Sequence, residues 1–304
     1  MHSVQQSLAN RLLSEEIMLH STNTASIAPV IGMYPCLSTL IEAGFPAIDV
    51  SLTKYEFIKE DDYKEQALKI RSFVEERGVI INQVHAPFAG REIYTNEHIP
   101  HLPRILEFAG LLGAKVAVVH PIHGDPFFVN KDKLFDENIE FYKSLAPFAK
   151  AAGIKIALEN MWKRRPGSNY IDDSTYADPF ELAKAYDTLN DPEAFTVCLD
   201  IGHVAICGRE PADAIRILGS RIGALHVHDV DYINDSHTLP GQGKLDWEEI
   251  CRTLAEIGYD GDFTLEADCF TKNYPPELLL QATRFMSEVA KYYAGRVEYY
   301  KSIL

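Results

Sequence analysis

Runs of β-branched and other apolar residues recur along the chain, and between them the apolar positions fall at helical spacing. The runs cover residues 17–21, 47–52, 80–85, 115–120, 155–160, 195–200, 222–229 and 262–268. Short, nearly continuous apolar runs of this kind mark strands buried on both faces, as in a parallel sheet covered by crossover helices. Between the second and third, residues 61–77 carry Ala67, Ile70, Phe73 and Val74 at helical spacing, and Gly78 supplies the left-handed residue on which many helices end. Further helical stretches occupy 100–112, 132–152, 178–189, 211–218, 246–257 and 276–293, several opened by Asp or Pro as caps or first-turn residues. Asp246-Trp247-Glu248-Glu249 has the spacing of a capping box with Asp in place of Ser or Thr. The first unit is the least regular, because residues 22–33 read as a long loop before a helix at 36–43.

Eight strand–helix units on one chain predict closure into a single (β/α)₈ TIM barrel rather than an open sheet. The length of 304 residues suits one such barrel, which runs to about 250 residues or more, so one domain over 1–304 is expected. Hydrophobic residues at 46% supply a large core, and charged residues at 24% give no sign of disorder. The balance of 29 Lys and Arg against 44 Asp and Glu gives a net charge of −15, which repels nucleic acid and anionic membranes alike. No run approaches the roughly 18 apolar residues of a membrane span, and the N-terminus lacks a basic stretch followed by an apolar one. A soluble, cytoplasmic protein without a nucleic-acid partner is therefore expected. Cys36, Cys198, Cys207, Cys251 and Cys269 have no chelating or redox-pair spacing and read as reduced core or near-core thiols.

Barrel enzymes build their sites at the C-terminal ends of the strands, so each strand's last residues carry the functional information. Here strand three ends in Val84-His85, four in Val119-His120, five in Leu158-Glu159-Asn160 and six in Leu199-Asp200-Ile201-Gly202-His203. Strand seven reads Leu225-His226-Val227-His228-Asp229 and strand eight Leu265-Glu266-Ala267-Asp268. A single strand-end His or Glu is as well explained by structural hydrogen bonding. Six consecutive strands ending this way are not, because carboxylates converging on one mouth repel one another unless a cation neutralises them. The expected ligands of one divalent ion are Glu159, Asp200, His226 and Glu266, an oxygen-rich set suited to Mn²⁺, Mg²⁺ or Co²⁺ and tolerant of Zn²⁺. His228 is read either as a substrate contact or support for the ion, or as a satisfied core histidine.

The motifs Leu158-Glu159-Asn160, Cys198-Leu199-Asp200-Ile201-Gly202-His203, Leu225-His226-Val227-His228-Asp229 and Pro240-Gly241-Gln242-Gly243-Lys244-Leu245-Asp246-Trp247, in that order, resemble the xylose-isomerase-like barrel superfamily, and within it the sugar phosphate isomerase/epimerase group. The resemblance implies a metal held by Glu159, Asp200, His226 and Glu266, with Glu159 and Glu266 also acting as the acid/base pair and His203 contacting substrate. It implies a sugar or sugar phosphate as the small-molecule partner, and family habit points to a homo-oligomer. Residues 297–304 are apolar and aromatic enough to pack on the barrel or on a second subunit. The residue types fit that chemistry on their own terms. Moving a hydroxyl beside a carbonyl requires removing and returning a weakly acidic C–H proton, with a Lewis acid to stabilise the enediolate.

His85, His120, His203, His228, Trp162 and Arg165 are the further candidates for substrate contact; Trp162 and Phe88 offer faces for a sugar, and Lys163-Arg164-Arg165 a grip for a phosphate, although packing in the core or rim is the commoner fate of such aromatics and a solvated loop that of such a basic cluster. Gly241-Gln242-Gly243 reads as a turn at the barrel mouth, since it lacks the context of a dinucleotide fingerprint. Two other reactions run on the same scaffold. A sugar or inosose dehydratase is one. The other is an endonuclease IV-type nuclease with a three-zinc cluster, whose nine ligand positions find matches in His85, His120, Glu159, Asp200, His203, His226, Asp235, His237 and Glu266, making Asp235 and His237 candidates for additional metal. The charge of −15 and the absence of basic, aromatic-interleaved loops weigh against that nuclease.

Overall fold

The computed structural model describes residues 18–52, 56–124, 130–165, 167–168 and 170–304. Eight strands form the sheet: β1 His20–Asn23, β2 Ala47–Ser51, β3 Ile80–His85, β4 Val116–Val119, β5 Lys155–Glu159, β6 Phe195–Asp200, β7 Ile222–His226 and β8 Phe263–Leu265. They are ordered β8-β1-β2-β3-β4-β5-β6-β7, each neighbouring pair parallel. The ring closes just past β7, where the Val227 N–H donates to the Thr264 carbonyl and the Glu266 N–H donates to the Val227 carbonyl, both at 2.9 Å. Each strand is followed by a helix: α1 Met33–Glu42, α2 Tyr63–Glu75, α3 Leu102–Leu112, α4 Lys131–Ala152, α5 Pro179–Leu189, α6 Pro211–Leu218, α7 Trp247–Glu256 and α8 Pro276–Ile303. The barrel expected from the apolar rhythm is the fold observed.

The main core lies between the sheet and the helices, and a separate cluster of Val118, Ala157, Cys198 and Ala224 fills the barrel's interior. Only small side chains fit where four strands converge on the axis. Asp178 and Asp246 accept from the N–H groups of Phe180 and Glu249 and so cap α5 and α7.

Three local features depart from the sequence pattern. The first strand runs three residues later than expected; its predicted beginning at Ile17 lies outside the described residues. The final helix continues ten residues beyond Tyr293 because Ala294, Val297 and Tyr300 keep a buried face against the fold. A two-stranded antiparallel hairpin, Trp162–Arg164 with Ile171–Asp173, stands in the β5–α5 connection. Its strands are short and polar, so they gave no apolar run.

A register shift sets which polar side chains β2 and β3 turn toward the barrel axis. Between Ile48 and Asp49 of β2 the pairing with β3 jumps from Ile81 to Gln83, leaving Asn82 as a bulge. Both polar side chains then find partners inside the barrel, Asn82 on Ser21 and Thr264, and Gln83 on Asp49 and His226.

His20, at the start of β1, meets Ser287 of α8 at 3.2 Å, and burial lowers its imidazole from 6.5 to about 4. Because the folded value lies below the unfolded one, the unfolded chain takes up the proton first as pH falls, so His20 costs stability between pH 6.5 and 4. His20→Gln should therefore gain on the wild type by about 2–3 kcal/mol over that interval in urea unfolding. A stability difference that stays constant with pH would show that the ring titrates normally.

Candidate active site

Glu159, Asp200 and His226 are the last residues of β5, β6 and β7, and Glu266 directly follows β8. The parallel register therefore delivers all four to one end of the barrel. His226 Nδ1 stands 2.6 Å from Glu159 Oε1 and 3.2 Å from Glu266 Oε2. One donor atom from each of Glu159, Asp200, His226 and Glu266 lies within 4.8 Å of every other, near enough for small side-chain shifts to close all four on one ion. Glu159 Oε2 is buried with His120 Nε2 2.8 Å away, and Asp235 Oδ1 across the site is buried without a hydrogen bond. Buried carboxylate oxygens in an oxygen- and imidazole-rich group, one of them orphaned, fit a divalent cation.

The electrostatics point the same way. Burial favours the neutral form of Glu159, but the imidazoles of His226 and His120 outweigh it and hold the carboxyl well below the usual range. Burial raises Glu266 well above its ordinary value, and repulsion from Glu159 and Asp200 adds to that despite His226 and His237. Three acids share one dry pocket, and without a cation they cannot all ionise cheaply.

Two further groups flank this one. His85 and His120, at the ends of β3 and β4, approach Glu159 Oε2 at 3.9 and 2.8 Å. On the other side Asp235 lies 3.2 Å from His237 Nε2 and 3.9 Å from each of His203 Nε2 and His228 Nε2. Nδ1 of His85, His203 and His237 donates to the carbonyls of Ala86, Asn160 and Glu266 at 2.9, 2.9 and 2.7 Å. A carbonyl only accepts, so the His85 ring, which burial keeps neutral, turns its Nε2 lone pair to the site, whereas the Asp235 carboxylate beside His237 Nε2 outweighs burial and favours that ring's protonated form. All nine positions matched to the nuclease pattern are thus brought together, in three adjoining groups. His237 takes a left-handed backbone conformation (φ 41°) unusual for a non-glycine residue, and its ring stacks on His228 at 4.0 Å.

Asp200 is held on several sides. Its carboxylate accepts from the His203 N–H, capping the short helix Ile201–Ile206, and contacts His228 Nε2 at 3.0 Å. Asn160 bonds both backbone groups of Asp200. His228 fits because residue 202 is glycine: a Cβ there would stand 2.0 Å from the His228 ring. Gly202→Ala should destabilise the fold by about 1–3 kcal/mol through overpacking, measured by urea unfolding. An unchanged midpoint would mean the ring has room to move.

A cavity of about 580 Å³ opens over the centre, walled by His85, Phe88, His120, Glu159, Trp162, His203, Asp235, His237 and Glu266 together with Arg91, Lys163 and Arg164. A second lobe of about 450 Å³ shares His85, Phe88, His237 and Glu266 and adds Ser26, Ser51 and Asp268. Two expected substrate contacts fall elsewhere. Arg165, just past the hairpin's first strand, is not part of the cavity wall, its guanidinium paired with Asp172 at 2.8 and 2.6 Å. His228 is fully buried beneath His237 and touches Asp200 instead of the cavity.

The Pro240–Trp247 motif has a structural centre in Asp229. Its carboxylate accepts from the N–H groups of Val230, Gly241 and Leu245 and from Trp247 Nε1, at 2.9, 2.8, 3.2 and 2.9 Å. Gly243 passes so close that a Cβ would meet Asp229 Oδ1 at 2.2 Å. Asp229 thereby fixes the loop that carries Asp235 and His237. Asp49 and Gln83, missed in the sequence, lie behind His226, each a polar residue inside an otherwise apolar barrel strand. That contrast was the available signal.

The model of the xylose isomerase-like TIM barrel family matches residues 37–289. The chain belongs to this family. An uncharacterised protein of Methanocaldococcus jannaschii is 30% identical over 60% of the chain, which spans 63% of that relative's length. An inosose dehydratase of Bacillus cereus is 29% identical, covering 60% of the chain and 68% of the relative. A D-psicose 3-epimerase of Ruminiclostridium cellulolyticum is also 29% identical, over 45% of the chain and 43% of its own length. Among solved structures, a D-tagatose 3-epimerase-like protein superposes with a TM-score of 0.71 at 22% identity, covering 93% of this chain and 99% of its own. The IOLI protein, solved with a bound zinc atom, gives 0.71 at 19% identity over 93% and 99%. At those identities the superpositions establish the fold. The family's members thus include sugar epimerases and a dehydratase, and among the described residues of this one no helix is long and apolar enough to cross a membrane.

Proposed function

We propose that this protein is a divalent-metal-dependent sugar isomerase or epimerase that moves a proton on the carbon beside a carbonyl. The observation that carries this reading is the convergence of Glu159 and Glu266 on one nitrogen of His226, at 2.6 and 3.2 Å, under an open cavity. Glu159, Asp200, His226 and Glu266 would hold the ion. When bound, the cation supplies Lewis acidity toward the substrate's carbonyl and hydroxyl oxygens.

The chain's own residues supply the rest. Glu159 and Glu266 come from β5 and β8 and flank the space above His226, so one removes the C–H proton and the other returns it. Their environments push them in opposite directions, Glu159 toward the ionised form and Glu266 toward the protonated one, as an acid/base couple requires. His203, His85 and His120 present ring edges to the substrate's hydroxyls. Trp162 and Phe88 offer aromatic faces at the cavity wall. The test is a metal-supplemented panel of ketoses, aldoses, their phosphates and inososes in deuterated water. Deuterium at a single carbon next to the carbonyl supports the reading; release of water from an inosose would replace it with a dehydratase that begins with the same proton removal.

A second reading has its own observation. The nine His, Asp and Glu side chains fall into adjoining donor groups, two of them sharing Glu159 and the third, around His203, Asp235 and His237, lying beside them, which suits a multi-metal hydrolase of phosphate esters. The charge of −15 argues against a nucleic-acid substrate. Metal content separates the readings: one tightly held ion per chain favours the isomerase, and three favour the hydrolase.

A further inference from the structure

We propose that Gln83 and Asp49 are positioning residues that decide which nitrogen of His226 is available to a divalent cation, an inference that rests on the metal-dependent reading of the site. Gln83 Nε2 lies 3.0 Å from Asp49 Oδ2 and 3.0 Å from His226 Nε2, and all three side chains are buried. Asp49 itself stands 4.0 Å from His226 Nε2, beyond hydrogen-bond reach. Gln83 is therefore the direct partner, and Asp49 orients its amide.

An amide nitrogen carries two hydrogens and accepts none. One goes to Asp49; the other is aimed at His226 Nε2, which must then be the ring's acceptor. The ring hydrogen is left on Nδ1, where Glu159 Oε1 receives it at 2.6 Å. That arrangement gives the Gln83 amide nitrogen and both ring nitrogens a partner, leaves Asp49 Oδ1 without one, and occupies the nitrogen facing Glu266.

A cation shared with Glu159, Asp200 and Glu266 needs the Nδ1 lone pair. The ring hydrogen then moves to Nε2, where it requires an acceptor in a dry interior. Gln83 is the side chain hydrogen-bonded at that nitrogen, so its amide must turn its oxygen toward His226. The β3 bulge aims Gln83 inward for this, and Asp49, whose Oδ1 has no hydrogen bond, is the acid whose hold on the amide has to yield. Ion loading is thus coupled to the Gln83 amide, and the hold of Asp49 opposes it.

The test is Mn²⁺ titration calorimetry on the full chain, with the visible spectrum of the Co²⁺ form as a second readout. Gln83→Met fills the same space without an acceptor and should weaken Mn²⁺ binding at least tenfold and shift the Co²⁺ bands. The exchanged pair Asp49→Asn/Gln83→Glu places a carboxylate beside Nε2 and an amide behind it, and should bind Mn²⁺ at least as tightly as the wild type. Should Gln83→Met fail to fold, Asp49→Asn alone still discriminates, because an amide there can serve Gln83 in either orientation and should tighten binding severalfold. Gln83→Met within threefold of the wild type, or an exchanged pair as weak as Gln83→Met, would overturn the assignment. A wild type that takes up no Mn²⁺ or Co²⁺ would instead remove the metal reading itself.

Discussion

Glu159→Gln and Glu266→Gln should each lower solvent-deuterium exchange into the substrate by about a thousandfold, within the range of general acid–base contributions. Each is also an expected ligand, so the assay must be run at saturating metal, where residual loss reports proton transfer instead of ion affinity. Gln keeps the shape and part of the hydrogen bonding, so His226 and His237 retain their neighbours and the fold stands. The two variants need not behave alike in the metal-free protein. Glu159 is held toward its ionised form there, and replacing it removes the carboxylate that accepts from His226 Nδ1; Glu266 is pushed toward its neutral form, so its amide replacement is the milder change. Turnover within tenfold of the wild type for either variant would remove the acid/base couple from the account.

The second large effect is structural. Asp229→Ala deletes the acceptor for three backbone N–H groups and the Trp247 indole at the barrel mouth, where Val230, Leu245 and Trp247 are buried and Gly241 is exposed. Leaving such donors unsatisfied costs about 1–3 kcal/mol each, only part of which water entering the loop recovers, so a loss of about 4 kcal/mol is expected. Asp229→Asn keeps one acceptor oxygen and should lose about half as much. Because the loop carries Asp235 and His237, the Ala variant should also lose their side of the site. Chemical denaturation gives the stability, and a change below about 1 kcal/mol would mean the loop is held by its apolar anchors Leu239 and Leu245.

Some of these features were legible in the sequence and others were not, depending on the contacts each residue answers to. The strands and most helices announce themselves because a barrel strand is buried on both faces and a covering helix on one, so periodicity alone separates them. His85, His120, Glu159, Asp200, His226 and Glu266 were legible because parallel pairing places every strand's last residue on the same rim. The hairpin at Trp162–Arg164 and Ile171–Asp173 was hidden, since its strands are stabilised by pairing with each other and carry no apolar pattern. It is also what pairs Arg165 with Asp172 while Trp162 lines the cavity. Gln83 was hidden for a different reason: strict alternation does not survive the bulge at Asn82. His228 and Gly202 are legible only as a pair, because the glycine is explained by the ring that rests on it. The turn read at Gly241-Gln242-Gly243 is present, but its purpose depends on Asp229, twelve residues before Gly241 in the chain.

The most direct measurement is anomalous diffraction from crystals of the protein equilibrated with Mn²⁺. One strong peak bonded to Glu159, Asp200, His226 and Glu266 is the predicted result. Density confined to other positions, or none at that group under conditions where Mn²⁺ is in excess, would contradict the account.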